Sequence, residues 1–193
     1  MLSLKECIDL LEKDLKASPP RVSVYNDLPF AILRYDPVDE WELRRELRLL
    51  STRLESTGRE VRIVSLACLL WEIIEETEGV EAVAQLERQR GFEAAQEQVT
   101  TYLSDTDWQP LPGVLADELK ELDPGKHIVF LTRAAAMAPA TYHMSKLLDE
   151  LQGRTRVTTI LCYPGTLEGV TGLRFMALKG REALGNYRVK VYG

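Results

Sequence analysis

Three segments of this sequence, Phe30-Ala31-Ile32-Leu33-Arg34-Tyr35, His127-Ile128-Val129-Phe130-Leu131-Thr132 and Val157-Thr158-Thr159-Ile160-Leu161-Cys162, are nearly unbroken apolar runs of strand length. A strand with one wet face alternates apolar and polar residues, so an unbroken run belongs to a strand covered on both faces. Around these runs lie amphipathic helices. Leu4, Ile8, Leu11 and Leu15 form one stripe, Leu43, Leu47, Leu50 and Leu54 a second, and Ala140, Met144, Leu147, Leu148 and Leu151 a third. Two-sided strands interleaved with one-sided helices imply an α/β fold of three layers, a mainly parallel sheet flanked by helices.

Local signals set the boundaries. Asp36 and Pro37 read as N-cap and first residue of the helix that ends near Gly58. Glu60-Val61-Arg62-Ile63-Val64 is a further strand, Ser65 caps the next helix, and Leu66, Leu69, Leu70, Ile73 and Ile74 form its buried face. A helical region follows from Val80 to about Leu103, with a break at Gly91, and a short helix carries Leu111, Leu115, Leu119 and Leu122. Leu173 to Leu178 and Arg188 to Tyr192 read as two more strands. The expectation is a single α/β domain over 1–193 with an acidic helical insertion or subdomain at 78–122. With 193 residues, 45% of them hydrophobic, such a chain can bury roughly 70% of its unfolded surface without metals or disulfides. Trp41, Trp71 and Trp108 are expected as packing anchors and Cys7, Cys68 and Cys162 as core residues.

Charge and composition exclude several classes. The first residues mix charges among apolar positions, so no signal-peptide core forms, and no stretch approaches ~20 uncharged apolar residues; a cytoplasmic protein is expected. His127 and His143 stand apart from any Cys or His at metal-ligand spacing, so no metal site is expected. The net charge of -6 argues against a generic nucleic-acid binder. It is unevenly spread: Glu72 to Asp123 holds fourteen acidic residues against three basic, whereas Leu151 to the end holds seven basic against two acidic. This polarity is either two solvated faces of opposite sign or a docking surface.

In an open parallel sheet, ligands bind beyond the carboxyl ends of the strands. A phosphate cradle there needs glycines followed by Lys and Ser/Thr. This chain has Tyr35-Asp36-Pro37-Val38-Asp39-Glu40 instead, carboxylates and a missing N–H where an anion needs donors. Thr132-Arg133 stands where paired carboxylates would hold Mg²⁺. The architecture resembles a degenerate P-loop-NTPase-like core without its nucleotide motifs, so the chain is expected neither to bind nor to hydrolyse ATP. No Gly-x-Ser-x-Gly elbow offers a nucleophile. The glycine-rich stretch Gly165 to Gly172 is either a phosphate or partner clamp near Arg174 or a loop into an edge strand. No catalytic, cofactor-binding or metal-ligating residue is expected. Arg34, Asp36, Arg133, Tyr163, Thr166 and Arg174 are the candidates for binding a partner, the arginines because a planar fork of donors suits carboxylates and phosphates. The alternative for each arginine is an internal pair with Asp36 or Glu168.

Several blocks carry a family resemblance: Leu28 to Pro37, Gly91 to Gln98, Lys146 to Val157, Tyr163-Pro164-Gly165-Thr166, Gly172 to Met176 and Asn186 to Tyr192. Over essentially the whole chain they resemble the BrxB family of bacterial BREX anti-phage defence systems. The resemblance implies membership of a multi-protein assembly that includes an adenine-specific DNA methyltransferase, a large ATPase and the alkaline-phosphatase-like protein PglZ. It brings no catalytic motif. Together with the absent cradle, metal set and nucleophile, it points to a non-catalytic adaptor whose partners are other BREX subunits, PglZ first, supporting host DNA methylation, phage restriction or both, with DNA contacted only indirectly or weakly. The alternative is a nucleic-acid-contacting subunit using the basic carboxyl-terminal third.

Overall fold

The computed structural model describes residues 2–23, 28–138, 142–168, 172–178 and 189–193. The chain is α/β, with a mainly parallel sheet flanked by helices, and it divides into two compact units. The first comprises Met1–Val64, Leu122–Ala135 and Arg156–Gly193; the second comprises Ser65–Glu121 and Ala136–Thr155.

The first unit is built on strands β1 (Phe30–Tyr35), β2 (Glu60–Ser65), β3 (His127–Thr132), β4 (Thr158–Glu168), β5 (Gly172–Phe175) and β6 (Lys190–Tyr192), in the order β2-β3-β4-β1-β6, with β5 paired to β4. β4 is the spine. It runs parallel to β3 with Ile128 opposite Thr158 and parallel to β1 with Phe30 opposite Thr159. β6 adds to the far side of β1 in parallel. The Glu60 N–H donates to the Lys126 carbonyl at one end of β2 and the Thr132 hydroxyl to the Val64 carbonyl at the other, so β2 and β3 run the same way.

Helices α1 (Leu4–Leu15) and α2 (Glu40–Glu55) cover one face of this sheet. Ser3 starts α1 with a capping box: its hydroxyl accepts from the Glu6 N–H while the Glu6 carboxylate accepts from the Ser3 N–H at 2.8 Å. The stripe Ile8, Leu11 and Leu15 and the stripe Leu43, Leu47, Leu50 and Leu54 pack with Ala31, Leu33, Tyr35, Ile128, Phe130, Ile160 and Cys162 into one core. Those sheet residues alternate along their strands, as a single face must. The opposite face carries Phe30, Ile32, Arg34, Val129, Leu131, Thr159, Leu161 and Tyr163, also buried. Arg53 Nε meets Glu12 at 2.7 Å between the two helices. The three-residue edge strand β6 is held from the side: Lys190 Nζ and the Tyr192 hydroxyl reach the same Asp14 oxygen, at 2.6 and 2.7 Å.

The second unit is helical: α3 (Leu66–Thr77), α4 (Val80–Arg90), α5 (Phe92–Ser104), α6 (Leu111–Lys120) and α7 (Met144–Leu151). Ser65 accepts from the Cys68 N–H and starts α3. The helical stretch breaks at Gly91, whose φ of +87° closes α4 and opens α5, a conformation that costs a residue with a Cβ. α4 has no buried residue, while α5 buries Ala95, Val99, Tyr102 and Leu103. The Tyr102 hydroxyl donates to Glu78, and burial together with that carboxylate pushes the phenol up to about 12. Ala140, expected on the last helical stripe, lies outside the described residues.

Four expectations need correction. Trp41 and Trp71 are exposed, and Trp108 is partly exposed while edge-on to Tyr102 at 5.2 Å; Trp41 lies across its helix from the leucine stripe, and Trp71 falls off the arc that α3 buries. Cys68 is exposed for the same reason of helical phase, whereas Cys7 and Cys162 are buried. β2 is a sheet edge, so Glu60, Arg62 and Ile63 are exposed rather than covered. Gly165 to Glu168 are not a loop but the end of β4, paired antiparallel with β5. The ladder to β1 stops where Pro164, which has no N–H, lies opposite Tyr35. Gly165 then admits β5: a Cβ there would lie 2.2 Å from the Arg174 carbonyl oxygen. Residues 169–171 of the glycine-rich stretch, and the part of the strand expected at 188–192 that precedes Val189, lie outside the described residues.

Candidate functional site

The carboxyl end of β1 is where the candidates begin. Because side chains alternate across the sheet, Leu33 and Tyr35 enter the core under α2 while Arg34 points to the other face. Tyr35 donates its hydroxyl to Glu40, Glu40 accepts from Arg44 Nε at 2.8 Å, and the Arg44 guanidinium lies 4.7 Å from the centre of the Trp41 ring. Burial, then the Glu40 carboxylate, pushes the Tyr35 phenol well above its ordinary range. The phenol is therefore a permanent donor. This relay runs from a buried tyrosine to a tryptophan that is 77% exposed, beside Val38 at 83%. Neither of these two exposed residues is among the candidates that the sequence suggests. The helical period carries the signal for the tryptophan, since Trp41 is about 200° from Leu43.

Asp36 serves the backbone: its carboxylate accepts from the Val38 N–H at 3.1 Å and caps the 3-10 turn Pro37–Asp39. It does not pair with Arg34. Arg34 is 6% exposed, its Nε is buried without a hydrogen-bond partner, and the side chain forms no ion pair among the described residues. Its register partner on β4 is Tyr163, buried on the same face. Tyr163 stacks edge-on against Phe175 at 5.5 Å and its hydroxyl donates to the Leu173 carbonyl at 3.4 Å. Burial raises the Cys7 thiol above its ordinary value, and the Arg34 charge opposes that shift only in part.

The remaining candidates fall elsewhere. Thr166 and Arg174 are cross-strand partners on the β4–β5 hairpin, and Arg174 forms the internal pair with Glu168 while its Nε stays buried and unpartnered. Arg133 follows β3 as an exposed residue with φ +58°. A non-glycine residue is held in that left-handed region only where its surroundings impose it. The structure thus joins Arg34 with Tyr163 and Thr166 with Arg174. Asp36 is a cap, and Arg133 stands by itself among the described residues. Among the described residues no three His, Cys, Asp or Glu side chains are grouped to hold a metal ion, and no helix is long and apolar enough to cross a membrane.

The chain is a parallel-sheet α/β protein, a class in which ligands bind beyond the carboxyl ends of the strands; its first strand carries buried Arg34 as its penultimate residue, with exposed Val38 and Trp41 following it. The family model described as BREX protein BrxB matches residues 62–189. The chain belongs to the BrxB family and is therefore a component of a BREX system, consistent with phage defence. Comparison with curated proteins gave no match, and neither did comparison with solved structures.

Proposed function

We propose that this chain is a non-catalytic assembly subunit of a cytoplasmic BREX complex, acting through protein-protein contacts, first with PglZ, in support of host DNA methylation, phage restriction or both. The observation that carries the reading is the Val38–Trp41 corner. Two large apolar side chains stand in solvent shortly after β1, and the Arg44 guanidinium lies over the Trp41 ring at 4.7 Å. Tryptophan and arginine are among the residues most enriched at the energetic centres of interfaces. The left-handed backbone of exposed Arg133 at the end of β3 adds a second fixed group at a strand terminus. The sheet is a three-layer, NTPase-like core in this reading, with Tyr35-Asp36-Pro37 in place of a phosphate cradle, and calorimetry with ATP and Mg²⁺ should give no heat of binding. A nucleic-acid role for the basic carboxyl-terminal third has less support, because Arg174 pairs with Glu168 and Lys190 with Asp14.

Affinity co-purification of the tagged chain with the other subunits of its system, followed by size-exclusion chromatography, tests the proposal. PglZ is expected to co-elute with the native chain. Val38→Ala with Trp41→Ala should weaken retention by at least ~30-fold, the equivalent of losing a hot spot of about 2 kcal/mol. The folded state should hardly notice, because both side chains are solvated. A native chain that elutes alone, or a folded double variant that is retained as well as the native one, would refute the assembly role.

A further inference from the structure

Arg34 raises a question that the assembly reading does not answer. A guanidinium stays protonated in proteins and has five N–H donors with no acceptor of its own. Enclosing one without a counter-charge carries a desolvation penalty that only paired acceptors offset. Here the residue is only 6% exposed, Nε is sealed and unpartnered, and among the described residues no carboxylate or carbonyl meets the fork. Of the acids that follow it in sequence, Asp36 caps the Val38 N–H, Glu40 receives Tyr35 and Arg44, and Asp39 forms no ion pair with it. Cys7 is an un-ionised thiol, pushed up by burial. Arg174 differs, since its second buried donor is accompanied by an ion pair with Glu168.

The backbone of residue 193 packs closely against the stem and Nε of this side chain. Residue 193 is glycine, and a Cβ at that position would stand 2.7 Å from Arg34 Nε and 2.8 Å from its Cβ. A side chain there would occupy the hydrogen-bonding distance of the unpartnered donor. Arg34 lies on the penultimate residue of β1, opposite Tyr163 on β4, at the end of the sheet where open α/β proteins receive ligands. Since Nε is the sealed atom, the terminal nitrogens are where an incoming group meets the fork.

We infer that Arg34 is the floor of an oxyanion site at the carboxyl ends of β1 and β4, taking a carboxylate or a phosphate group on its guanidinium fork. The group supplies the acceptors that the described residues do not, so binding relieves a buried charge left unpaired among them and stabilises the fold through linkage. The inference is independent of the assembly reading, because it concerns a different side chain and is measured on the isolated protein.

Thermal unfolding in sodium phosphate and in sodium acetate, each against sodium chloride at matched ionic strength, is the experiment. With the anion at about ten times its Kd, one of the two should raise Tm above the chloride value by about 3–6 °C in a chain of this size. A larger increment with phosphate assigns a phosphate group, and a larger one with acetate assigns a carboxylate. Arg34→Met should lose the increment without a lower Tm in chloride, since the replacement removes the unpaired charge at similar volume; Arg34→Lys should keep only part of it. Should Arg34→Met fail to fold, the Nε–H resonance of Arg34 in the native protein decides: a saturable shift on titration with phosphate or acetate supports the site. Equal Tm in all three salts, an unmoved Nε–H resonance, or a full increment in Arg34→Met would overturn it.

Discussion

Gly165→Ala is the substitution whose cost can be worked most directly from the geometry. The new methyl carbon would sit 2.2 Å from the Arg174 carbonyl oxygen and 2.9 Å from Tyr163 Cε1. A relaxed contact between carbon and oxygen needs roughly 1 Å more than the first of these, so β5 must move away from β4 as a whole. Neither neighbour is a free side-chain tip: one is backbone in a paired strand, and the other is a ring fixed between Phe175 and the Leu173 carbonyl. Overpacking of this kind costs about 1–3 kcal/mol. Displacing β5 also endangers the Met176 N–H bond to the Pro164 carbonyl, 2.8 Å long, at about 1 kcal/mol. A total of about 2–4 kcal/mol follows, which for a chain of this length lowers Tm by roughly 5–15 °C. Far-UV circular dichroism with urea and heat measures the global loss, and hydrogen exchange at the Met176 amide reports whether the hairpin opens first. A variant with native Tm and native protection at Met176 would refute the close-approach reading.

Gly113, which sits in α6 where an added Cβ would meet Pro110 Cγ at an ordinary 3.6 Å, is the matched control: Gly113→Ala should gain up to about 1 kcal/mol from helix propensity. Gly91→Ala should lose about 1 kcal/mol, since its φ is +87° although the space around it is open; chemical denaturation of both separates a steric cause from a backbone one. Burial raises Asp14, but the hydrogen bonds from Lys190 and Tyr192 outweigh it and hold the carboxyl below its ordinary value. A depressed carboxylate contributes stability above its unfolded pKa of about 4 and loses it as pH falls through the lower folded value, so urea midpoints from pH 6 to pH 2 should fall less steeply in Asp14→Asn than in the native chain. Tyr102→Phe removes the donor to exposed Glu78 and should destabilise by about 1 kcal/mol in thermal unfolding, with the tyrosine titrating near pH 12 missing from the ultraviolet difference spectrum.

Much of this molecule is set by residues within a turn of one another. The capping box at Ser3, the caps at Asp36 and Ser65, the break at Gly91 and the leucine stripes of α1 and α2 all depend on partners three or four positions away, and each is legible in the sequence. So is the α/β class, because runs such as Phe30 to Tyr35 report burial on both faces. The exposure of Trp41 is legible too, in its phase against Leu43, but its residue type argues for the core and obscures the period. Strand order is not written locally. It rests on pairings such as Phe30 with Thr159 and on a clasp between Asp14 and Lys190, 176 positions apart, whose strength comes from the assembled sheet. The same holds for the candidate site. The sequence by itself places Arg34 and Arg174 near strand ends and leaves each free to pair with an acid. Tertiary structure decides between them: antiparallel pairing of β4 with β5 brings Arg174 to Glu168, whereas alternation along β1 turns Arg34 onto the face away from α2 and buries it with no carboxylate paired to it among the described residues, Asp36 just past the strand being drawn off to cap the following turn.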